Sequence, residues 1–306
     1  MTNGKKLMDK KKVLRINAKD PHLRGLMSYL LQVLNNLKWC DENEYTPLVD
    51  LCGPSYWLHD KEYGANIWEY FFAPVSDITL APTEEEIENE TRHDEITRFL
   101  LPVKGYDTKV ILYEWMRYFT ETRKDLNEIY KKYVKIRADI VEDVEDFWKQ
   151  NMEDEITLGV QIRGTDTTKY GLKIRDYIDE THKYLKDNTT TKIYIASDTH
   201  EALTAFKKEF DGMGNVIHLP LTRQKNYHGA SINGRNNWSG VGFKSPKDAG
   251  DEILKETMLL SRCSHLIHQK SSVAMCALIM NINTTNTFML EQMEKGNTRG
   301  WKPKNI

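Results

Sequence analysis

Short apolar strands alternate with amphipathic helices throughout the second half of this chain, and that alternation admits few architectures. Ile156, Leu158, Val160 and Ile162 recur with period two, the spacing of a strand. The run KIYIAS at 192–197 reads as a second strand, 216–219 as a third, Leu266 and Ile267 as the centre of a fourth, and 286–290 as a fifth. Helical spacing over 200–210, near 251–261 and over 273–280 separates them. Strands that alternate with helices form parallel sheets through crossover connections. No repeat or low-complexity tract interrupts the pattern, and the boundary with the first half is expected near 150–155.

The first half is less regular. A strand is expected at Val13–Ile16 and a helix over 23–39, where Leu26, Leu30, Val33, Leu34 and Leu37 share a face. The run TPLVDL at 46–51 reads as a buried strand closed by Gly53-Pro54. NIWEYFF at 66–72 is too aromatic for a free loop and is expected against the core, Trp68 and Tyr70 included. Residues 82–99 read as an acidic surface helix capped by Thr83. A long helical region is expected over 113–150, with Leu126, Ile129, Tyr133, Ile136, Ile140, Val144 and Phe147 along one stripe. Its mixed-sign outer face fits a solvated helix laid across a domain. A coiled-coil partner surface is disfavoured by the aromatic content of the stripe.

Composition removes several function classes. A chain of 306 residues can bury one or two cores. A formal net charge of −2 argues against a general nucleic-acid binder, which needs a basic excess to hold phosphates. Hydrophobic residues at 40% and charged residues at 29% are those of an ordinary globular protein. Residues 1–12 are basic and polar, without the apolar stretch of a signal peptide. No run approaches the ~20 apolar residues of a transmembrane helix. Cys40, Cys52, Cys263 and Cys276 include no C-x-x-C pair and fit neither a zinc site nor a disulfide scaffold. Cys263 and Cys276 read as core residues, and a reducing compartment follows.

In a parallel sheet ligands gather at the carboxyl ends of the strands, and three such ends carry suitable residues. The first is Gln161-Ile-Arg-Gly-Thr-Asp166. Arg163 can offer a diphosphate its fork of donors. Gly164 permits close backbone approach, and Asp166 can orient Arg163. A structural Arg–Asp pair at a loop accounts for the same residues. The second is Ala196-Ser-Asp-Thr-His200, where Asp198 either accepts from a guanine edge or caps the next helix. The third is His268-Gln-Lys-Ser-Ser272, whose serines either build an anion site at a helix start or only cap that helix. Three strand ends of this kind together fit a ligand gripped from several loops.

At these residues the chain resembles the α1,6-fucosyltransferase and protein O-fucosyltransferase superfamily of GT-B glycosyltransferases, bacterial nodulation fucosyltransferases among them. GVQIRGTD is similar to its strand ending His-x-Arg-Arg-Thr-Asp, IYIASDT to its VYVATDD strand, and LLSRCSHLIHQKSSVA to its Cys and serine-pair motif. Order and spacing match over about 157–280, and GLMSYLLQVLNNL and NIWEYFF match related sugar transferases more loosely. The resemblance implies an α/β GT-B fold, two Rossmann-like domains with parallel sheets facing across a cleft. Residues 1–150 would form the acceptor side and 151–306 the donor side, with the extreme C-terminus packing back on the first domain. It further implies Arg163 as diphosphate ligand and charge stabiliser, with Asp166 beside it in catalysis. Asp198 would contact the base, and Ser271, Ser272 and Val273 would hold the diphosphate. Gly25 to Ser28 would form a loop closing over the donor. Gln161 and Gly164 occupy the positions of a histidine and a second arginine in the family motif, so linkage and base contacts do not transfer. The catalytic glutamate shortly downstream has no counterpart, since 167–173 contains no acid.

The reaction implied is an inverting transfer of fucose from GDP-fucose to a glycan or glycoprotein hydroxyl. Charge building on the leaving diphosphate makes Arg163 worth most in the transition state. No Asp-x-Asp signature is present, and Asp166, Asp248 and Asp251 do not form one, so no cofactor and no obligatory metal are expected. Asp166, Asp176, Glu252 and His228 are candidate bases. His228 falls in a Gly/Asn-rich loop, 227–242, and is equally an incidental surface residue. Trp57, beside Gly53-Pro54, is expected to face the cleft, where it can stack on an acceptor sugar. A cytoplasmic protein, or a soluble catalytic domain trimmed of an anchor, is expected. Two rivals stand: another donor such as a UDP-pentose, and a non-catalytic nucleotide- or carbohydrate-binding relative.

Overall fold

The computed structural model describes residues 12–18, 24–78, 108–164, 172–213, 215–223 and 243–289. The expected helix at 82–99, the loop 227–242 and the extreme C-terminus lie outside the described residues.

Strands β1 (Val13–Ile16) and β2 (Thr46–Val49) pair in parallel, joined by helix α1 (Leu26–Asn43). Parallel neighbours need such a crossover, because a tight turn cannot bring the chain back to the same end. The α1 stripe Leu26, Leu30, Val33, Leu34 and Leu37 is buried, as its spacing predicts. The helix stops at Glu44, whose left-handed φ of 59° ends the helical path. Beyond β2 the 3-10 turn Ile67–Tyr70 is anchored by Asn66. Its side chain accepts from Leu51 N at 3.0 Å and donates to Val49 O at 3.0 Å. Trp68 and Tyr70 are each 1% exposed, in the core as expected.

The long helical region is a correction. It is two helices, α2 (Thr108–Tyr133) and α3 (Ala138–Asn151), broken between them. There the backbone leaves the helical ladder and pairs with the aromatic turn. Ala73 N donates to Lys135 O at 2.8 Å and Arg137 N to Phe71 O at 3.0 Å, around an antiparallel bridge between Phe72 and Ile136. The Ala73 N–H and the Phe71 C=O are left over by the turn, and this segment supplies their partners. Side-chain periodicity carries no signal of such pairing.

The second half forms a five-stranded parallel sheet. Its elements are β3 (Thr157–Ile162), α4 (Ile174–Asp187), β4 (Lys192–Ser197), α5 (His200–Phe210), β5 (Val216–Ile217), α6 (Pro246–Ser261), β6 (His265–His268), α7 (Ser272–Met280) and β7 (Thr285–Phe288). The spatial order is β5-β4-β3-β6-β7. The chain starts at the centre, runs to one edge and returns to fill the other, which leaves a switch point between β3 and β6. The expected strand at 216–219 shortens to two residues. On one face Leu158, Val160, Tyr177, Phe206 and Phe210 form a core. On the other, α6 and α7 join α1, the aromatic turn, α2 and α3 in one apolar cluster containing Leu34, Phe71, Leu254, Met258 and Met275. Cys263 and Cys276 are buried, and burial pushes both thiols well up. The two halves therefore share a core, which sets their sheets around the cleft described below. Among the described residues no helix is long and apolar enough to cross a membrane.

Candidate functional site

A cavity of about 270 Å³ opens where the carboxyl ends of β3, β4 and β6 meet the start of α1. Nine of the residues singled out from sequence line it: Gly25, Ser28, Trp57, Gln161, Arg163, Asp198, Ser271, Ser272 and Val273, and Glu252 makes a tenth. Asp166 and His228 lie outside the described residues. Asp176 is not in the lining; it closes a capping box at the start of α4, accepting from Lys173 N at 2.6 Å.

The backbone around Arg163 is pinned from both sides. Gly164 N donates to Asp198 Oδ1 at 2.6 Å, and Gln269 Nε2 donates to Arg163 O at 3.0 Å. Three strand ends are thereby laced together with Arg163 in the middle, at the switch point where open α/β sheets bind ligands. Asp198 does not cap α5. That position belongs to Thr199, whose hydroxyl accepts from Ala202 N at 3.4 Å. Gly164 lines no part of the cavity, but its N–H is what Asp198 grips.

Two helix starts face the same space. Ser271 is the N-cap of α7, its hydroxyl accepting from Val273 N at 3.2 Å, and Ser272 opens the helix. Ser271 therefore caps the helix, and both serines also line the cavity. From the other half, Gly25 is the N-cap of α1 and brings no capping side chain. The residues expected as a closing loop are thus the cap and first turn of a helix, whose N–H groups and dipole favour an anion. Arg24 precedes them and also lines the cavity. Trp57 faces the cleft as expected, and its indole N–H donates to Arg24 O.

The remaining wall is acidic. Glu252 Oε2 accepts from Thr222 N at 2.9 Å and its Oε1 from Thr222 Oγ1 at 3.2 Å. Burial raises its pKa above the usual carboxylate value. One turn on, Glu256 is buried, and Arg223 Nη2 donates to its Oε1 at 3.0 Å. Burial, with the charges of Asp198 and Glu252, pushes Glu256 up to about 7 against the opposing pull of Arg223. Arg223 also donates to Ser197 O at 2.9 Å and to Leu221 O at 2.8 Å, tying the end of β4 to the loop after β5. Sequence reasoning missed Arg24, Thr222, Arg223 and Glu256. Only the i, i+4 spacing of Glu252 and Glu256 was available to flag the pair. Among the described residues, no group of three or more His, Cys, Asp or Glu side chains is arranged to hold a metal ion.

No protein-family profile matches this sequence, and no curated protein does. Solved structures do match. The fucosyltransferase NodZ from Bradyrhizobium is 13% identical with a TM-score of 0.56, covering 89% of this chain and 94% of its own. The NodZ α1,6-fucosyltransferase soaked with GDP-fucose is 14% identical with the same TM-score of 0.56, over 89% of this chain and 93% of that one. POFUT1 in complex with GDP-fucose is 8% identical with a TM-score of 0.50, over 91% and 97%. At these identities the likeness is one of fold. The chain has the α/β GT-B architecture of these fucosyltransferases, as the resemblance read from its motifs implies.

Proposed function

We propose that this chain is a glycosyltransferase that moves fucose from GDP-fucose, with inversion, to a glycan or glycoprotein hydroxyl. The supporting observation is the convergence of Arg163, Arg24 and the starts of α1 and α7 on one cleft at the switch point of a parallel sheet. Donor NH groups, two helix dipoles and two guanidinium groups suit a diphosphate. In this reading residues 151–306 bind most of the donor, with Arg24 and the start of α1 reaching its diphosphate, while the rest of residues 1–150 forms the acceptor side and Trp57 offers a face to the acceptor sugar.

The acceptor hydroxyl attacks C1 of the donor sugar while the C1–O bond to the β-phosphate breaks on the opposite face. The bonding pair stays with the diphosphate, and Arg163 neutralises the charge that appears there. Its backbone is held on both sides, so little reorganisation is needed as the charge develops. Asp166, three residues beyond, takes the hydroxyl proton. The guanidinium groups and helix starts take the place of a divalent cation, so none is required.

The test is steady-state transfer and hydrolysis with GDP-fucose and with UDP-sugars, for the wild type and Arg163→Ala. GDP-fucose is turned over in preference, and Arg163→Ala loses about 10²–10³ in kcat at an unchanged melting temperature. Arg163→Lys recovers part of the loss, since a point charge does not reproduce the fork. Near-normal turnover by folded Arg163→Ala refutes the mechanism, and a UDP-sugar preference refutes the donor.

A further inference from the structure

The cleft is electrically divided. Around β3 and β6 it presents Arg163 and the helix starts, whereas Glu252 is held by the loop that follows β5. That loop returns to the end of β4, where Arg223 donates to Ser197 O at 2.9 Å, so Glu252 sits on the β4 side of the cleft while Ser271 and Ser272 sit on the β6 side. A nucleoside diphosphate is divided in the same way, anionic at one end and planar with a hydrogen-bonding edge at the other.

Glu252 is built as a fixed acceptor. Each of its oxygens takes one hydrogen bond from Thr222, and a carboxylate oxygen has a second lone pair to offer. Thr222 is itself immobilised, because Arg223 next to it donates to Leu221 O, Ser197 O and the buried Glu256. Leu221, Phe243 and Ile253 line the same cleft beside these residues and provide apolar surface for a planar ring. An independent sign of a ligand comes from β3. Gln161 is 6% exposed, lines the cleft, and its Oε1 has no partner among the described residues. A buried acceptor left unpaired is costly, and a donor group on a bound ligand would relieve it.

Resting on the nucleotide-sugar reading above, we propose that Glu252 is a specificity-determining residue that accepts both N1–H and N2–H of a guanine and so selects guanosine over uridine nucleotides. Guanine sets two donors side by side on its Watson–Crick edge, matching the two oxygens of one carboxylate. Uracil has a single N3–H flanked by carbonyl oxygens, which a carboxylate repels. Hypoxanthine keeps N1–H but lacks the 2-amino group.

The experiment is calorimetric titration of the full chain with GDP, IDP and UDP, for the wild type and Glu252→Gln, with melting temperatures alongside. The wild type binds GDP about 10-fold more tightly than IDP, the discrimination expected of a bidentate pair, and UDP more weakly than either. Glu252→Gln turns one acceptor into a donor and brings GDP and IDP to within about 2-fold of each other. Equal wild-type affinity for GDP and IDP, or an undiminished GDP preference in folded Glu252→Gln, overturns the assignment of Glu252 while leaving the nucleotide site intact. Failure of all three nucleotides to bind the wild type overturns the donor reading and this inference together. The wild-type comparison of GDP with IDP stands even where the variant does not fold.

Discussion

Helix α6 carries two of the cleft's three acidic residues, Glu252 and Glu256, and its position depends on one glycine. Gly250 faces Phe71 of the aromatic turn so closely that an added Cβ would lie 2.2 Å from Phe71 Cζ and 2.6 Å from Cε1. Ordinary carbon contacts are ~3.5–4.0 Å. In Gly250→Ala two effects oppose each other. Alanine gains about 1 kcal/mol over glycine in a helix interior, whereas forcing an extra carbon into a packed core costs about 1–3 kcal/mol. Here the upper end applies. Phe71 is 0% exposed and sits between Tyr70 and Phe72, with ring centroids at 6.0 and 6.3 Å, so its ring has nowhere to turn. The expected net loss is about 2 kcal/mol, read as a lower urea midpoint at unchanged slope. Displacement of α6 also weakens GDP binding through Glu252. Phe71→Leu removes the clashing ring atoms, so Gly250→Ala made in that background is neutral or stabilising, a coupling of about 2 kcal/mol. If Gly250→Ala is as stable as the wild type with Phe71 in place, the close approach of α6 to the first half is not what positions it.

Three further outcomes are expected. Arg123, on α2, donates to Leu278 O at 2.6 Å, Asn281 O at 2.7 Å and Thr284 O at 3.0 Å, closing the C-terminal end of α7. Arg123→Ala costs about 2–4 kcal/mol in urea denaturation, since charge-assisted bonds to three carbonyls go at once and water replaces them only in part; a loss below about 0.5 kcal/mol contradicts this. Glu256, facing Arg223, Asp198 and Glu252, has a folded pKa raised from 4.5 to about 7, so the folded state holds its proton longer than the unfolded one. Its contribution to stability is full below about pH 4.5 and is lost as the pH rises through about 7. Urea unfolding at pH 5 and pH 8 then shows the wild type losing stability relative to Glu256→Gln by about 1–3 kcal/mol, and a flat difference refutes the burial argument. Finally, GDP raises the melting temperature without added divalent cation and EDTA leaves the shift in place; its abolition by EDTA means that a metal completes the site.

Much of the second half was legible because each strand and helix there writes its burial into its own periodicity. Leu158, Val160 and Ile162 alternate because all three face one core, while Gly159 turns to the other face against Cys263, and Gln161 and Arg163 at the strand's end reach the cleft as strand ends in parallel sheets do. Local spacing likewise placed Ser271 and Ser272 at a helix start and α1 on its apolar stripe. What it could not contain are relations between segments far apart in the chain. At the 134–137 break in the long helical region the backbone pairs with the Ala73 N–H and the Phe71 C=O, although the stripe itself runs on across it. Asp198 looked like a helix cap because a cap is a local event, whereas its bond to Gly164 N spans 34 residues. Arg24, Thr222 and Arg223 gave no local sign and Glu256 only its i, i+4 spacing from Glu252, because their places come from the packing of α6, the loop after β5 and the start of α1 around one cavity. The sequence by itself determined most of the strands and helices and which strand ends line the cleft, since those follow from short-range periodicity and chemical type. The tertiary structure alone decided which of those ends meet, and which buried charges hold them there, because hydrogen bonding and desolvation depend on neighbours brought together only by folding.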